Sequence, residues 1–489
     1  MPTASTGSLD QVVTPNLDVI NPLATLSTPS GLTPAQAKAA YGFSSVKFGS
    51  VTGNGAGETI AIVDAYNDPN IKTDLAKFDA TFGLAAPPSL KIVNQSGGTA
   101  LPQNDRGWAG EIALDVEWAH AIAPAANILL VEASSATTSA LDAALDYARN
   151  AAGVVAVSNS WGGSEYSTEK SQDVHFTTPA GHIGVTFTVA AGDNGAGAEY
   201  PSSSPDVLSV GGSTLLLNSS GTYSSESVWS GGGGGASRYE GLPSYQSSLG
   251  VAMRGAPDVS YDANPYTGFA VYDSYGGSGW AQYGGTSAGA PQWAALVAIA
   301  DQGRALAGKE SLANAQDALY SLSRSDFHDI ASGSNGYRAT TGYDLASGLG
   351  SPIANLVIRD LVAYNSSTNF SIAAATTTIS RTRFFFTFRG FDEAAGEGTA
   401  LAADTQSAAS ASVVASATDT RSFQSALSLI SGSVSPTTVN ANAVESALSS
   451  HGRHSALADN SAETADASSA AIDEFFAALD GASPALLVS

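Results

Sequence analysis

The chain has 489 residues, 43% of them hydrophobic, which is enough for one large domain and an additional segment. It carries 44 acidic against 20 basic residues, a net charge of −24, so we expect no basic surface that could neutralise nucleic-acid phosphates. The absence of cysteine excludes disulfides, thiol catalysis and zinc–thiolate sites.

The first 31 residues read as an N-terminal segment and linker. Residues 1–6 contain neither a charged n-region nor an apolar h-region, so no standard signal peptide is expected. No apolar run of the chain is long enough to span a bilayer. Residues 22–31 have a linker composition, and Leu-Thr-Pro-Ala-Gln at 32–36 is typical of a helix start. We therefore expect the folded domain to cover residues 32–364.

Apolar, β-branched runs alternate with helical patterns in the first part of this domain. The alternation predicts an α/β fold, with a mainly parallel central sheet flanked by helices on both faces. In such a sheet, functional residues lie at the carboxyl ends of strands and in the loops that follow. The predicted strands are 59–63, 128–132, 154–157 and 185–189, and the predicted helices are 74–82 and 138–150.

Residues 110–124 form a largely apolar helical pattern that carries two acids. Glu111 and Asp115 are four positions apart, so on a helix they share one face. In a partly buried site their repulsion raises the pKa of one carboxyl, and such a pair can act as a base and its support. An isolated pair of this kind more commonly belongs to a solvated acidic turn, so the interpretation depends on motifs further along the chain.

Asp193 follows the predicted strand 185–189 in a Gly-Asp-Asn-Gly turn. An acid in this position is commonly a turn residue or a helix cap. A protonated carboxyl group can also donate a hydrogen bond to a developing oxyanion, which an ionised one cannot do. At the end of the first strand, Asp64 could extend a hydrogen-bond chain beyond Asp115.

Residues 284–291, Gly-Gly-Thr-Ser-Ala-Gly-Ala-Pro, place Ser287 directly before an apolar helical run. The glycines allow a bound chain to approach the backbone closely, and proline is tolerated in the first turn of a helix. The dipole and free N–H groups of a helix N-terminus favour developing negative charge. Ser287 is therefore a candidate nucleophile, and a nucleophilic hydroxyl needs a neighbouring base.

The glycine-rich loop 326–352 contains an acid near each end, Asp329 and Asp344. Carboxylates and backbone carbonyls are the oxygen ligands that Ca²⁺ prefers. The spacing is not that of an EF-hand, and without further motifs two such aspartates are more commonly turn residues.

Residues 365–489 differ in composition, being rich in Ala, Ser and Thr and free of lysine. Ordering such a segment costs more entropy than its burial returns, so we predict a low-complexity C-terminal extension. The apolar run 384–388 could be an added edge strand, a docking segment or a processing site. A short amphipathic helix is predicted from the spacing of Ile472, Phe475, Phe476 and Leu479. We expect this helix to fold against this domain or another protein.

Together these motifs resemble the sedolisin (kumamolisin-like) family of serine-carboxyl peptidases, between about residues 32 and 361. The resemblance includes Val-Ser-Asn-Ser-Trp-Gly at 157–162, Tyr-Pro-Ser-Ser-Ser-Pro at 200–205 and Val-Trp-Ser-Gly-Gly at 228–232. It implies a subtilisin-like fold and a serine-type endopeptidase that hydrolyses peptide bonds of proteins at acidic pH through an acyl-enzyme. It also implies that the segment 160–162 pairs with an extended substrate as an added strand.

The resemblance assigns a role to each of four residues. Ser287 would be the nucleophile and Glu111 the general base and acid. Asp115 would support Glu111, and Asp193 would complete the oxyanion hole.

The resemblance also implies one structural calcium ion. Its side-chain ligands would be Asp329 and Asp344, and its carbonyl ligands Ile330, Thr340 and Gly342. Because enzymes of this family are typically secreted, we expect an extracellular protein. We further expect a monomer that acts on protein or peptide substrates.

The sequence leaves two alternative functions open. A serine peptidase that uses His120 as its base would gain activity through neutral pH, because imidazole must be unprotonated to accept a proton. An inactive, calcium-stabilised binding protein would keep the fold without the chemistry.

Overall fold

The computed structural model describes residues 10–20 and 28–365, together with five short strands beyond residue 365. The chain divides into two compact units, Met1–Tyr364 and Asn365–Ser489. Within the described residues, no helix has the length and apolar character needed to cross a bilayer. The predicted linker residues 22–27 and the predicted amphipathic helix 472–479 lie outside the described residues.

Seven α-helices occur in the described part of the first unit. The first helix begins where the sequence predicted. Thr33 and Gln36 form a capping box at its start, and Gly42, with a φ of 84°, ends it. The fourth helix has the predicted bounds, and the second begins three residues earlier than predicted. The helices are α1 Pro34–Tyr41, α2 Ile71–Phe82, α3 Arg106–Ile122, α4 Thr138–Asn150, α5 Gly289–Leu306, α6 Ala315–Leu319 and α7 Ala354–Ala363.

The strands of this unit are mostly short, and the longest lie in its centre. They are β1 Thr14–Pro15, β2 Asp18–Ile20, β3 Lys47–Phe48, β4 Val51–Thr52, β5 Thr59–Ala65, β6 Leu90–Asn94, β7 Asn127–Ala133, β8 Val154–Asn159, β9 Trp161–Ser164, β10 Thr186–Ala190, β11 Glu199–Tyr200, β12 Leu208–Leu217, β13 Tyr223–Val228, β14 Gly235–Gly241, β15 Met253–Ala256, β16 Val259–Asp262, β17 Phe269–Asp273, β18 Gly279–Gly284, β19 Phe327–His328 and β20 Ser351–Pro352.

The central sheet has the strand order β13-β12-β10-β8-β5-β7-β6, and β16 also pairs with β12. All of these pairs are parallel except β12 with β13. The predicted mainly parallel sheet flanked by helices is therefore confirmed. The sequence predicted four strands of this sheet and missed β6, β12, β13 and β16. Of these, β6 is an edge strand whose mostly half-exposed residues lack a continuous apolar run.

Side chains of the central strands alternate between two core clusters, one on each face of the sheet. Ile60 and Ile62 share a cluster with Trp118 of α3, whereas Val63 shares the other with Leu141 of α4. Because both faces are covered, these strands are apolar along their whole length. The sheet thus holds α3 and α5 on one face and α4 on the other.

In the second unit, the described backbone consists of five short strands. The apolar run 384–388, which the sequence offered as an edge strand, lies in a strand that pairs on both sides, with β22 along 383–387 and with β25 along 388–390. The five strands are β21 Arg383–Gly390, β22 Ala400–Asp404, β23 Val413–Val414, β24 Val439–Asn440 and β25 Leu486–Val488.

Candidate active site

Residues 10–20, here called the N-terminal strap, run in extended form past the end of β8. In the strap, β1 pairs antiparallel with β9, and β2 pairs antiparallel with β18. Between these two strands, the Asn16 N–H donates a hydrogen bond of 3.1 Å to the Ser160 carbonyl. The segment 160–162, which was expected to pair with a substrate strand, therefore pairs with a strand of its own chain. Residues 10–20 thus bind to the folded domain and do not serve only as a linker.

Ser287 lies in a 3₁₀ turn, Thr286–Ala288, that leads directly into α5. Its side chain is fully buried beneath the strap. The Ser287 N–H donates to the carbonyl oxygen of Asn16 at 3.1 Å, and the Ser287 Oγ donates to the carbonyl of Ser160, also at 3.1 Å. The candidate nucleophile thus lies beside a peptide carbonyl that its own backbone binds.

Asp193 faces the same carbonyl from the loop after β10. Its Oδ1 accepts hydrogen bonds from the Thr286 N–H at 2.8 Å and the Thr286 Oγ1 at 2.9 Å, whereas its buried Oδ2 has no partner among the described residues. A Cβ built on Gly285 would collide with both the Asn16 oxygen and this Oδ2, so both oxygens lie against Gly285. Burial raises the pKa of Asp193 to about 7. Below that pH, the protonated carboxyl group can donate to the carbonyl.

Glu111 and Asp115 lie on α3, as the sequence predicted, and both are fully buried. Burial raises the pKa of Glu111 well above its usual value, Asp115 and then Asp64 add to the rise, and the hydroxyl of Ser287 opposes it. Asp115 accepts a hydrogen bond of 2.9 Å from the Ser160 Oγ. The fold therefore brings the predicted pair to the predicted serine.

Asp64 adds a third carboxyl group to this cluster. It is the second-last residue of β5 and is fully buried, and burial raises its pKa to about 7. Its charge raises the pKa of both Glu111 and Asp115. Since three adjacent buried carboxyls cannot all ionise, the cluster retains protons well above the usual range for acids.

His120 does not reach this site. It lies nine positions after Glu111 on α3, about 13 Å along the helix at 1.5 Å per residue. Its Nε2 contacts the Ala85 carbonyl at 2.9 Å and the Asp79 carboxylate at 3.2 Å. The geometry gives no support to His120 as the base for Ser287.

Glu199 is a site residue that the sequence analysis missed. A Cβ built on Gly162 would lie 3.2 Å from the Glu199 Oε2 and 3.5 Å from the Asn16 Nδ2, so both side chains lie against this glycine. The Asn194 Nδ2 donates to the Glu199 Oε1 at 3.0 Å. The only available sequence signal was an acid directly before the Tyr-Pro of residues 200–201, which is too weak to distinguish it from a surface residue.

On the other side of Asn16, the strap lines a cavity. Leu17 and Val19 border it together with Gly110 of α3 and with Trp280 and Tyr283 of β18. Both strap residues are partly buried and pack against the main core cluster. The groove between β9 and β18 that contains Ser287 is here called the cleft. The cleft thus contacts an extended chain on both sides of the Asn16–Leu17 bond.

The predicted calcium-binding loop is closed by its own hydrogen bonds. The Gly342 N–H donates to the Asp329 Oδ1 at 3.0 Å, and the Thr340 N–H donates to the Asp344 Oδ2 at 2.7 Å. The carbonyl of Ile330 accepts a contact of 3.4 Å from the hydroxyl of Ser347, whose backbone N–H donates to Asp344. The five predicted ligand residues therefore lie in one loop, and its carboxylates and carbonyls fit the oxygen chemistry of Ca²⁺.

A second acidic group lies beside the cavity that Leu17 and Val19 border, since its member Asp273 also lines that cavity. Carboxylate oxygens of Asp68, Asp74 and Asp273 lie within 4.8 Å of one another, and all three residues are buried. Asp74 accepts hydrogen bonds from Ser274, and Asp273 accepts three from backbone N–H groups of residues 275–277. These bonds account for the folding of the loop after β17. The sequence analysis did not identify this group.

Comparison with known proteins agrees with this fold. Residues 55–322 match the subtilase family. The chain is 34% identical to kumamolisin of Bacillus sp. (strain MN-32) over 374 residues, covering 69% of this chain and 64% of kumamolisin. It is 32% identical to sedolisin of Pseudomonas sp. (strain 101) over 358 residues, covering 64% of this chain and 59% of sedolisin.

Among solved structures, the first unit resembles Pseudomonas sedolisin, a serine-carboxyl proteinase, complexed with two molecules of pseudo-iodotyrostatin. The TM-score is 0.59 at 30% identity, covering 70% of this chain and all of that one. The chain spans less than two thirds of the full length of the relatives kumamolisin and sedolisin. The chain belongs to the subtilase family, and within that family it is a sedolisin-like protein.

Proposed function

We propose that this protein is a serine-carboxyl endopeptidase that cleaves proteins and peptides at acidic pH. One observation carries the proposal: the Asn16 carbonyl accepts a hydrogen bond from the Ser287 N–H, and it lies against Gly285 together with the Asp193 Oδ2, which has no partner among the described residues. A peptide carbonyl is thus held between two groups that can stabilise an oxyanion, directly beside the candidate nucleophile.

The proposed reaction begins when the Ser287 hydroxyl turns from the Ser160 carbonyl toward Glu111. Glu111 takes the proton as the Ser287 Oγ bonds to the substrate carbonyl carbon, and the oxyanion accepts hydrogen bonds from the Ser287 N–H and protonated Asp193. Glu111 then gives its proton to the leaving amine, which breaks the C–N bond and leaves an ester on Ser287. Water, losing a proton to Glu111, hydrolyses that ester by the reverse steps.

In this mechanism, activity is limited at both low and high pH. On the acid side, one proton must leave the cluster of Glu111, Asp115 and Asp64 before a base exists. On the alkaline side, Asp193 loses its proton as pH rises through about 7, and its charge then repels the oxyanion. A bell-shaped pH profile with its upper limit near this pKa follows.

A structural calcium ion and an extracellular, acidic setting belong to the same proposal. Asp329 and Asp344 would hold the ion with their carboxylates, and Ile330, Thr340 and Gly342 with their carbonyls. When bound, the ion would tie the loop 326–352 together and take no part in the chemistry. Support for the ion comes from the hydrogen bonds that bring Asp329 and Asp344 against residues 342 and 340 of the same loop, and from the family resemblance.

The test is to incubate purified protein with an unfolded protein substrate between pH 3 and pH 8. Cleavage that is confined to acid pH and absent in Ser287→Ala supports the proposal. Cleavage that rises through neutral pH and disappears in His120→Ala would establish the histidine mechanism instead. No cleavage at any pH would favour a binding protein.

A further inference from the structure

The first described residue of the strap makes a specific contact far from Ser287. The Asp10 Oδ1 accepts hydrogen bonds from the Ser139 N–H at 2.9 Å and the Thr138 Oγ1 at 3.0 Å, and its Oδ2 accepts one from the Ser139 Oγ at 2.7 Å. All three donors lie in the first turn of α4, a helix of 13 residues. A carboxylate is thus bound by three donors at a helix N-terminus, where the helix dipole also favours negative charge.

The start of α4 is not capped by its own N-cap side chain. Thr137 is the N-cap residue, and threonine there commonly caps its own helix. Here its side chain makes no capping hydrogen bond. The Ser139 N–H is instead satisfied by Asp10, which is 129 residues away in the chain.

Backbone pairing fixes the distance between this contact and the reacting bond. The Thr138 N–H donates to the Gln11 carbonyl at 2.9 Å, and the Val13 N–H donates to the Ala136 carbonyl at 2.9 Å. The β1 strand then continues along β9 to Asn16. An extended chain bound in this path therefore presents its side chain at α4 six positions before the residue whose carbonyl contacts Ser287.

We propose that the N-terminus of α4 is a remote substrate-binding site that takes an acidic side chain six positions before the residue at the cleaved bond. The site is formed by Thr138 and Ser139, and the strap occupies it in the way a substrate would. The inference rests on the proposed peptidase function and adds to it a preference for extended, acidic peptides. Its ligand is an aspartate or glutamate of a peptide long enough to span the cleft.

The charged groups around the site set the conditions for a test. Hydrogen bonds, above all from the Ser139 N–H, lower the pKa of Asp10, so that this carboxylate stays ionised at pH 5. Asp142 is the neighbouring like charge. Burial raises its pKa to about 6, His175 opposes the rise, and Asp146 and then Asp10 add to it, so that Asp142 carries less charge at pH 5 than an ordinary aspartate. Binding is therefore best measured near pH 5.

The experiment compares two peptides of identical composition on the full chain. The first copies residues 10–20, Asp-Gln-Val-Val-Thr-Pro-Asn-Leu-Asp-Val-Ile, and the second exchanges its first two residues. The exchange keeps the net charge but moves the acid out of register with α4. We expect the first peptide to have a kcat/KM about fivefold higher. The strap competes equally with both peptides, so it cancels in this ratio.

A variant of the protein provides the second readout. Ser139→Asp places a charge that repels the acidic ligand, yet an acid in the first turn is favourable for the helix, so the fold should persist. We expect this variant to lose the preference for the first peptide. Ser248→Asp adds the same charge at an exposed residue and should keep the preference.

The outcomes separate this inference from the proposed function. If both peptides are cleaved at equal rates by the native chain, the remote site is wrong and the peptidase stands. Equal preference in native protein and Ser139→Asp would also overturn the site. If neither peptide nor an unfolded protein is cleaved at any pH, the peptidase proposal fails and the inference fails with it.

Discussion

The backbone N–H of Ser287 donates a 3.1 Å hydrogen bond to the carbonyl oxygen of Asn16, a residue 271 positions earlier in the same chain. The strap that carries Asn16 is paired on both sides of this contact, by β9 before it and by β18 after it. A peptide bond is therefore held in an extended chain beside the candidate nucleophile. The strap fills the cleft and also indicates how another peptide would lie there.

The first prediction is that the protein cleaves its own Asn16–Leu17 bond. At pH 5 the native protein should yield a fragment whose new N-terminus is Leu17, because Ser287 already lies at the Asn16 carbonyl. Intact mass and N-terminal sequencing measure the product, and Ser287→Ala should slow its formation by about a thousandfold or more. Equal cleavage of the alanine variant would point to a contaminating peptidase and contradict the prediction.

Asp193→Asn should remove the fall of activity near neutral pH. The amide can keep the two hydrogen bonds from Thr286 on its oxygen while its NH₂ donates to the oxyanion at every pH. In the native protein the donor is present below a pKa of about 7 and is lost as pH rises through it. We expect the asparagine variant to retain its activity above pH 7. As the control, Asp193→Ala should reduce kcat by about a hundredfold at pH 5, where the native carboxyl group is protonated and donates to the oxyanion. An unchanged alkaline limb in Asp193→Asn would show that another group sets it.

The Glu111→Gln variant should lose activity, whereas the Asp115→Asn variant should change the pH dependence of activity. Glutamine cannot accept the proton of Ser287, so Glu111→Gln should lose about a thousandfold in kcat. Removing the charge of Asp115 removes the second-largest cause of the raised pKa of Glu111. Glu111 then ionises at lower pH, and the acid limb of the profile should move to lower pH. A shift in the opposite direction in pH–rate measurements would contradict the proposed coupling.

Gly285→Ala tests the close approach at the oxyanion position. A Cβ there would collide with the Asn16 carbonyl oxygen and the Asp193 Oδ2, at a φ of 95° that disfavours alanine. Gly308→Ala is the control for a positive φ alone, since its φ is 71° but no described atom lies within 4 Å of its Cβ position. Gly308→Ala should cost about 1 kcal/mol of stability, and Gly285→Ala more, because a φ of 95° with a ψ of 162° is essentially confined to glycine. Only Gly285→Ala should also lose peptidase activity, and comparable activity in the two variants would exclude a tight site at Gly285.

Calcium should stabilise the protein through the loop 326–352. Removing Ca²⁺ with a chelator should lower the Tm by about 5 °C or more, and added Ca²⁺ should restore it. Asp329→Asn should abolish this response, measured by thermal melting with and without Ca²⁺. Asp68→Asn, in the second acidic group, should keep it. The reverse result would place the ion at Asp68, and no response in the native protein would exclude the ion.

Local patterns identified much of the first unit and of its candidate active site. The helical period placed Glu111 and Asp115 on one face of α3, and the apolar runs of β5, β7, β8 and β10 indicated a sheet buried on both faces. Glycines, proline and the apolar run after Ser287 indicated its position before α5. These features are visible because helix and strand periods and turn residues are properties of a short stretch of chain.

The sequence by itself thus determined the fold class and the candidate chemical groups. Only the tertiary structure decided that residues 10–20 fill the cleft, that Glu199 lies beside Asn16, and that Asp10 caps α4. All of these contacts join residues far apart in sequence. The strap is held largely through backbone hydrogen bonds, which any side chain permits and which therefore leave no pattern in the residues. The pKa of Asp193 was likewise undetermined until burial was known, because desolvation depends on what covers the carboxyl group and not on its neighbours in the chain.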